Sequence, residues 1–319
     1  MSQILPISPA LPWLAPLAGY SDLAFRLLCR ELGAAVCCTE MVSAKGLAHN
    51  GPGSNILLKT CPQDQPLVLQ LFGAEGKTVD LAMLRLLELG FNWFDLNAGC
   101  PVPKVTRTGC GAAMLKDPEH LLSIVKIMRK RAGSGKVGVK IRLGWDKPIF
   151  LELALKLEEV GIDWLTLHPR LGCQGFRGQA DWQAIAKLRQ KISLPVIASG
   201  DLHSAQDAID CLSISKASGV MFARGAMRNP AIFQNFIRLQ NKSASVKLDD
   251  ETAPAKKLGL IIRRHIELAR RHGSSIMLMR SFIPRYVKNM NMAKAMRKEL
   301  VKQDNWEGLL GLVDKHLPY

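Results

Sequence analysis

The chain has 319 residues, 48% with apolar side chains and 22% charged, a balance that excludes a disordered or fibrous protein and suffices for one large domain with a small one. Its 43 Lys and Arg outnumber 27 Asp and Glu, and the net charge of +16 suits a polyanionic partner, most simply nucleic acid. The eight cysteines (Cys29, Cys37, Cys38, Cys61, Cys100, Cys110, Cys173 and Cys211) form no C-x-x-C pair and no Cys/His cluster of zinc spacing, so no metal is expected, and their scatter suggests reduced thiols in a cytoplasmic protein.

Ile4 to Tyr20 is apolar but interrupted by Pro6, Pro9, Pro12 and Pro16. No helix survives that spacing, no basic segment marks a signal peptide, and no apolar run suits a bilayer, so no membrane association is expected. Strands are predicted at Trp13–Leu17, Ala35–Thr39, Leu67–Phe72, Trp93–Asn97, Val137–Arg142, Trp164–His168, Pro195–Ser199 and Gly219–Ala223. Helices are predicted at Asp22–Glu31, Thr78–Leu89, Pro118–Arg131, Phe150–Val160, Trp182–Lys191 and Ser204–Leu212, with Leu81, Ala82, Leu84, Leu86 and Leu89 as the core-facing stripe of the second. Eight strand-helix repeats with right-handed crossovers predict a parallel α/β fold, a closed (β/α)8 TIM barrel over residues 1–240. An open doubly wound sheet is the alternative, weakened because no Gly-x-Gly-x-x-Gly opens the first helix. Arg238 to Pro254 lacks periodicity, which places a linker at 241–254. Beyond it, 255–319 reads as a small all-helical domain with helices at Lys256–His272 and Met292–Val301, Gly273 as a C-cap and Pro284 as a break or kink.

Several strands carry polar residues on one face, where a barrel interior is usually apolar. Lys140 and Arg142 alternate with Val139 and Ile141; Thr166, His168 and Arg170 alternate with Leu165 and Leu167; Gln70 lies between Leu69 and Leu71. That set is expected to converge on the carboxyl mouth of the barrel and to imply an anionic or hydrogen-bonding ligand, unless it is ion-paired internally with Asp95 or Asp201. Asp95, Asn97 and Gly99 share one face of the fourth strand, and Cys100 follows on a loop stiffened by Pro101 and Pro103. The alternative is that Cys100 is a small buried hydrophobe. Strands seven and eight end in Ser199-Gly200-Asp201 and Ala223-Arg224-Gly225, turns suited to a phosphate.

These motifs resemble the tRNA-dihydrouridine synthase family, in its bacterial, FMN-dependent form, from Leu14 to about Phe233. The signatures are Leu14-Ala-Pro-Leu-Ala-Gly-Tyr-Ser-Asp22, Gln70-Leu-Phe-Gly73, Asp95-Leu-Asn-Ala-Gly-Cys-Pro101, Gly109-Cys-Gly-Ala112 and Val139-Lys-Ile-Arg-Leu-Gly-Trp145. The resemblance implies reduction of the C5–C6 double bond of particular uridines in tRNA, with FMN as cofactor and NADPH as reductant. It implies that Pro16, Leu17 and Ala18 line the flavin, that Gln70, Lys140 and His168 make polar contacts to it, and that Ser199, Gly200, Asp201, Ala223 and Arg224 form the phosphate loops. Cys100 matches the catalytic acid and Asn97 a residue beside the target base. The chain departs from the usual pattern at Pro169 and Leu171, at Ser199 in place of Asn, and at Ala223 in place of Gly, which requires φ below zero or strain there.

A proton for C5 suits a positioned thiol, which must then stay protonated; Cys110, in a glycine-rich turn, is the rival acid. The base must be extruded to reach the cofactor. In the tail, Lys256, Arg263 and Arg270, with Lys257, Arg264 and Arg271 beside them, lie on one side of a helix and are expected to hold RNA phosphates, the alternative being a solvated face. No protein partner is implied. Two other readings remain: an FMN barrel acting on a free pyrimidine, as dihydroorotate dehydrogenase does, and a non-catalytic tRNA-binding protein. The basic tail argues against the first, and the inward polar ring with Cys100 against the second.

Overall fold

Eight parallel strands close on themselves: β1 (Trp13–Leu14), β2 (Val36–Cys38), β3 (Leu67–Phe72), β4 (Trp93–Ala98), β5 (Lys136–Gly144), β6 (Trp164–Leu171), β7 (Val196–Ser199) and β8 (Gly219–Phe222). Neighbours in sequence pair in order, and β1 pairs with β8 to complete the barrel. The computed structural model describes residues 6–241, 254–288 and 290–318. All eight predicted strands are present, but β1 stops at Leu14, short of Pro16, which has no N–H for the ladder. A two-residue strand, Val42–Ser43, extends the sheet beside the end of β3.

The six predicted helices are also present, at Leu23–Glu31, Gly76–Glu88, Pro118–Ala132, Phe150–Val160, Trp182–Arg189 and Ala205–Ser215. Four of these begin on side chains that accept from the first-turn N–H groups: Asp22, Asp117, Asp181, and Ser204 in a capping box with Asp207. The predicted stripe on the second helix is corrected. Val79, Ala82, Met83 and Leu86 face the core, whereas Leu81, Leu84 and Leu89 are exposed; the i, i+3, i+4, i+7 set starts at Val79. A helix at Ile232–Gln240 follows β8, so chain predicted as linker from Arg238 is helical to Gln240. The expected linker beyond it lies, at 242–253, outside the described residues.

Strand alternation divides the core in two. Leu69, Leu71, Phe94, Leu96, Val139, Ile141, Leu165 and Leu167 face outward to the helices. Trp13, Val36, Val68, Trp93, Trp164, Ile197 and Met221 pack inside as the barrel floor. Trp164 meets Trp13 edge-on, with ring centroids 5.8 Å apart, and fits because the facing residue is Gly138, where a Cβ would overlap its indole.

The tail forms helices at Pro254–Arg271, Ile276–Tyr286, Ala293–Leu300 and Trp306–His316. Gly273 ends the first of these with φ +71°, and Pro284 sits inside the second, which stops two residues later. The tail packs on the first barrel helix: Phe25 lies 5.5 Å from His265 and 4.8 Å from Phe282, centroid to centroid. Burial drives His265 down to about 3, so it is neutral, and its Nδ1 is 2.9 Å from Tyr286 Oη. Among the described residues no helix is long and apolar enough to cross a membrane.

Candidate active site

The in-register pairs of the barrel build a polar column above the apolar floor. Gln70 on β3 stands opposite Asp95 on β4, Asn97 opposite Lys140 on β5, Lys140 opposite Thr166 and Arg142 opposite His168 on β6. Gln70 is fully buried; its Nε2 donates to Asp95 Oδ2 (2.6 Å) and its Oε1 accepts from Asn97 Nδ2 (2.7 Å). Asn97 Oδ1 in turn accepts from the N–H groups of Gly99 (3.2 Å) and Cys100 (2.9 Å). One hydrogen-bonded chain thus runs from the floor of the site to the turn that carries the thiol. Cys110 is buried beside that turn, its Sγ 3.6 Å from Thr108 O, while Ala112 N–H donates to Cys100 O at 2.9 Å.

Two of the inward cations are already satisfied by the protein, which narrows the expected ligand-binding ring. Arg142 donates to the carbonyls of Gly99, Leu171 and Gly175 at 2.8, 3.0 and 2.6 Å. Arg170, with 2% of its side chain exposed, pairs with Asp201 at 2.6 Å. Internal ion pairing, an alternative at the outset, is therefore correct for Arg170. The Asp201 carboxylate also accepts from Ala180 N–H (2.8 Å) and Arg224 (3.1 Å), so it organises two arginines. At Gly200, φ is +109° and a Cβ would meet the His168 ring at 2.8 Å, so this turn requires glycine. Ala223 sits at φ −125°, below zero as alanine in place of glycine requires.

Lys140 is the cation left over: it has no hydrogen-bond partner among the described residues. Burial, then the charge of Arg142, pull its pKa down to about 8, with Asp95 opposing them. Asp95 is pushed up to about 7 by burial, against the Gln70 hydrogen bond and the Lys140 charge. His168 is held well below its ordinary value by burial and by Lys140, Arg142, Arg170 and Arg224. It is a neutral imidazole, and its Nε2 accepts from Arg170 Nη1 at 3.2 Å. Burial raises the half-buried Cys100 thiol above its ordinary range; the Val102 N–H, Arg142 and Lys140 oppose that and lose. The thiol is therefore protonated at neutral pH.

The remaining expected residues fall around this column. Pro16 and Leu17 are half-buried and Ala18 exposed, in the turn after β1. Ser199 is buried at the end of β7, and Ala223 and Arg224 are half-buried after β8. Thr166 Oγ1 and Asp95 Oδ1 are buried without partners, and with Lys140 and Arg224 they make a donor and acceptor set suited to a polar, phosphorylated cofactor. Phe176 was not anticipated as a site residue. Its ring, 54% exposed, lies under the guanidinium groups of Arg142 and Arg224 at 5.4 and 5.2 Å; an aromatic in a glycine-flanked loop after β6 was the available signal. Met41, whose Sδ is 3.0 Å from Asn97 Nδ2, left no such signal.

In the tail, at least three of the six basic residues expected to hold RNA are paired with carboxylates: Arg263 with Asp314, Arg264 with Glu31 of the barrel (2.7 Å) and Arg270 with Glu307 (3.0 Å). Arg285 lies over the Tyr20 ring at 4.5 Å, where the tail meets the turn after β1.

Solved structures with similar folds include a morphinone reductase mutant in complex with tetrahydroNAD (15% identity, TM-score 0.52, 76% of this chain and 89% of that one). A second is 2-naphthoyl-CoA reductase with 2-naphthoyl-CoA (9% identity, TM-score 0.55, 72% of this chain and 50% of that one). At such identities the likeness is one of fold. The chain is 38% identical over 231 residues to a probable tRNA-dihydrouridine synthase of Treponema pallidum (strain Nichols), covering 69% of this chain and 68% of the relative. It is 32% identical over 309 residues to probable tRNA-dihydrouridine synthase 1 of Synechocystis sp., covering 94% and 84%. The family model for dihydrouridine synthase (Dus) matches residues 13–316, and the chain therefore belongs to the dihydrouridine synthase family.

Proposed function

We propose that this protein is a tRNA-dihydrouridine synthase that reduces the C5–C6 double bond of uridines in tRNA, with FMN at the barrel mouth and NADPH as reductant. The observation that carries this reading is the placement of Cys100 in the turn at the carboxyl end of β4, its backbone N–H held by Asn97, with burial raising its thiol pKa. The column is chemically suited to FMN: Lys140 and Thr166 offer donors that the protein leaves unused, and Arg224 with the Gly200 turn suits a phosphate. FMN held there would supply, once reduced by NADPH, the hydride for C6. Cys100 Sγ donates the proton that reaches C5, as a general acid. Asn97, by its match to the family pattern, stands beside the base, and it holds the backbone turn that carries the thiol. Lys140 places a cation in the column to favour the negative charge of a reduced cofactor. His168, neutral and oriented by Arg170, offers hydrogen bonding without adding charge.

The four-helix tail and the net charge of +16 support tRNA as the substrate over a free pyrimidine. Part of the basic helix serves to anchor the tail, so the RNA surface draws on exposed residues such as Arg271, Lys288, Lys294 and Lys298. In this reading residues 1–240 are the catalytic barrel and 255–319 the tRNA-binding part. The test is to incubate the purified protein with FMN, NADPH and either unmodified tRNA or orotate. Dihydrouridine in the tRNA and no turnover of orotate supports the reading; turnover of orotate alone, or no bound flavin, overturns it.

A further inference from the structure

The polar column contains a carboxylate to which the reaction above gives no task. Asp95 lies at its base, buried, with Oδ2 on Gln70 Nε2 at 2.6 Å and Oδ1 unpartnered. A buried carboxyl with an idle oxygen is costly, and an apolar residue of similar size is cheaper there on stability grounds alone. What Asp95 supplies is direction. Above its pKa of about 7, where it is ionised, the Asp95 carboxylate only accepts hydrogen bonds, whereas Gln and Asn amides each have a donor end and an acceptor end. Facing Asp95, Gln70 must present Nε2, which turns its Oε1 towards Asn97. Facing that oxygen, Asn97 must present Nδ2, which turns its Oδ1 to the backbone N–H groups of Gly99 and Cys100. With the amides reversed, Asn97 Nδ2 would face those two N–H groups, donor against donor, and the turn would lose both bonds.

We propose that Asp95 is a positioning residue: by fixing the orientation of the Gln70 and Asn97 amides, it holds the turn that presents Cys100. That this turn serves uridine reduction rests on the function proposed above; the effect on the turn itself does not. Two groups face Asp95 besides Gln70, namely Lys140 from β5 and Cys38 from β2, and neither substitutes for it in the chain.

The test separates shape from direction. Asp95→Asn keeps the size of the side chain but puts an amide, able to present either end, at the start of the chain. Asp95→Asn with Gln70→Glu moves the acceptor-only group one step along, so Asn97 must again donate through Nδ2 and accept through Oδ1. In the full-length protein without added cofactor, hydrogen exchange is read at the Gly99 and Cys100 amides above pH 7, where Asp95 is ionised. Asp95→Asn is expected to speed it about tenfold, and the double variant to restore wild-type protection. With tRNA and reduced flavin, the single variant is expected to slow the tRNA-dependent step with little change in KM. Unchanged protection in Asp95→Asn overturns the proposal, as does a double variant no better protected than the single one. If Asp95→Asn does not fold, the double variant must fold and protect both amides, or the proposal fails. Absence of dihydrouridine formation by the wild type, with the exchange pattern intact, would instead overturn the functional reading and leave the positioning role standing.

Discussion

Removing the Asp201 carboxylate should destabilise the protein far more than its position in a loop suggests. The carboxylate neutralises Arg170, whose side chain is 2% exposed, and accepts from Ala180 N–H at 2.8 Å and Arg224 at 3.1 Å. Leaving a buried charge without its partner costs roughly 3–5 kcal/mol. Arg170 keeps the carbonyls of Gly178 (2.7 Å) and Arg177 (3.1 Å) and the ring nitrogen of His168 (3.2 Å), which places the loss near the lower end, about 3 kcal/mol. Asp201 also sits at φ +56°, where alanine adds about 1 kcal/mol. The expected loss for Asp201→Ala is therefore about 4 kcal/mol. Asp201→Asn tolerates the same φ and keeps an acceptor, so about half that is expected. Urea unfolding of the cofactor-free protein near neutral pH measures both. Burial would raise the Asp201 pKa, but hydrogen bonds from Arg170 and Ala180 and the charges of Arg170 and Arg224 hold it below the usual range. Its contribution is thus present above about pH 4 and lost as pH falls through the folded-state value. An alanine variant within about 1 kcal/mol of wild type would refute this account of the loop.

Three further outcomes concern the tail. His265 is neutral in the fold, with a pKa near 3 from burial, and regains an ordinary value near 6.5 when unfolded; stability should fall as pH drops below about 6, by about 1.4 kcal/mol per unit, and His265→Leu should flatten that slope in acid titrations of urea midpoints. Replacing Lys288, Lys294 and Lys298 together by alanine should reduce the salt slope of tRNA binding by about 2 to 3, measured by filter binding across salt concentrations. Arg264→Ala, which breaks the contact to Glu31, should instead raise protease sensitivity in the tail; a slope unchanged by the triple variant would place the RNA elsewhere.

The barrel was legible because two periodicities alternate along the chain, and Gln70, Lys140 and His168 interrupt the inner one where branched apolar residues are usual. Placement of Cys100 after β4 followed from the same pattern. What the sequence left open was how the inward groups divide among themselves. Arg142 and Arg170 look equivalent to Lys140 in one dimension, yet three carbonyls satisfy one and Asp201 the other, and those partners come from loops whose path the periodicity does not set. The basic repeat of the tail helix was visible, but its carboxylate partners Glu31, Glu307 and Asp314 lie far away in the chain, beyond any local pattern. The misplaced stripe on the Gly76–Glu88 helix has a similar origin: its leucines are spread around the helix, and Val79, Ala82 and Met83 join only Leu86 on the buried face.

In the proposed reaction Cys100 delivers the proton to uridine and takes no part in cofactor reduction. The measurement is anaerobic stopped-flow of FMN-loaded wild-type, Cys100→Ala and Cys110→Ala protein, following flavin reduction by NADPH and then flavin reoxidation on unmodified tRNA. Burial keeps the thiol protonated and Asn97 holds the backbone N–H of its residue, so Cys100→Ala should keep the reductive step and slow reoxidation by about 10²–10⁴-fold. Cys110→Ala should reoxidise near the wild-type rate. A Cys100→Ala protein that reoxidises on tRNA as fast as wild type would contradict the account and pass the role of acid to Cys110 or to water.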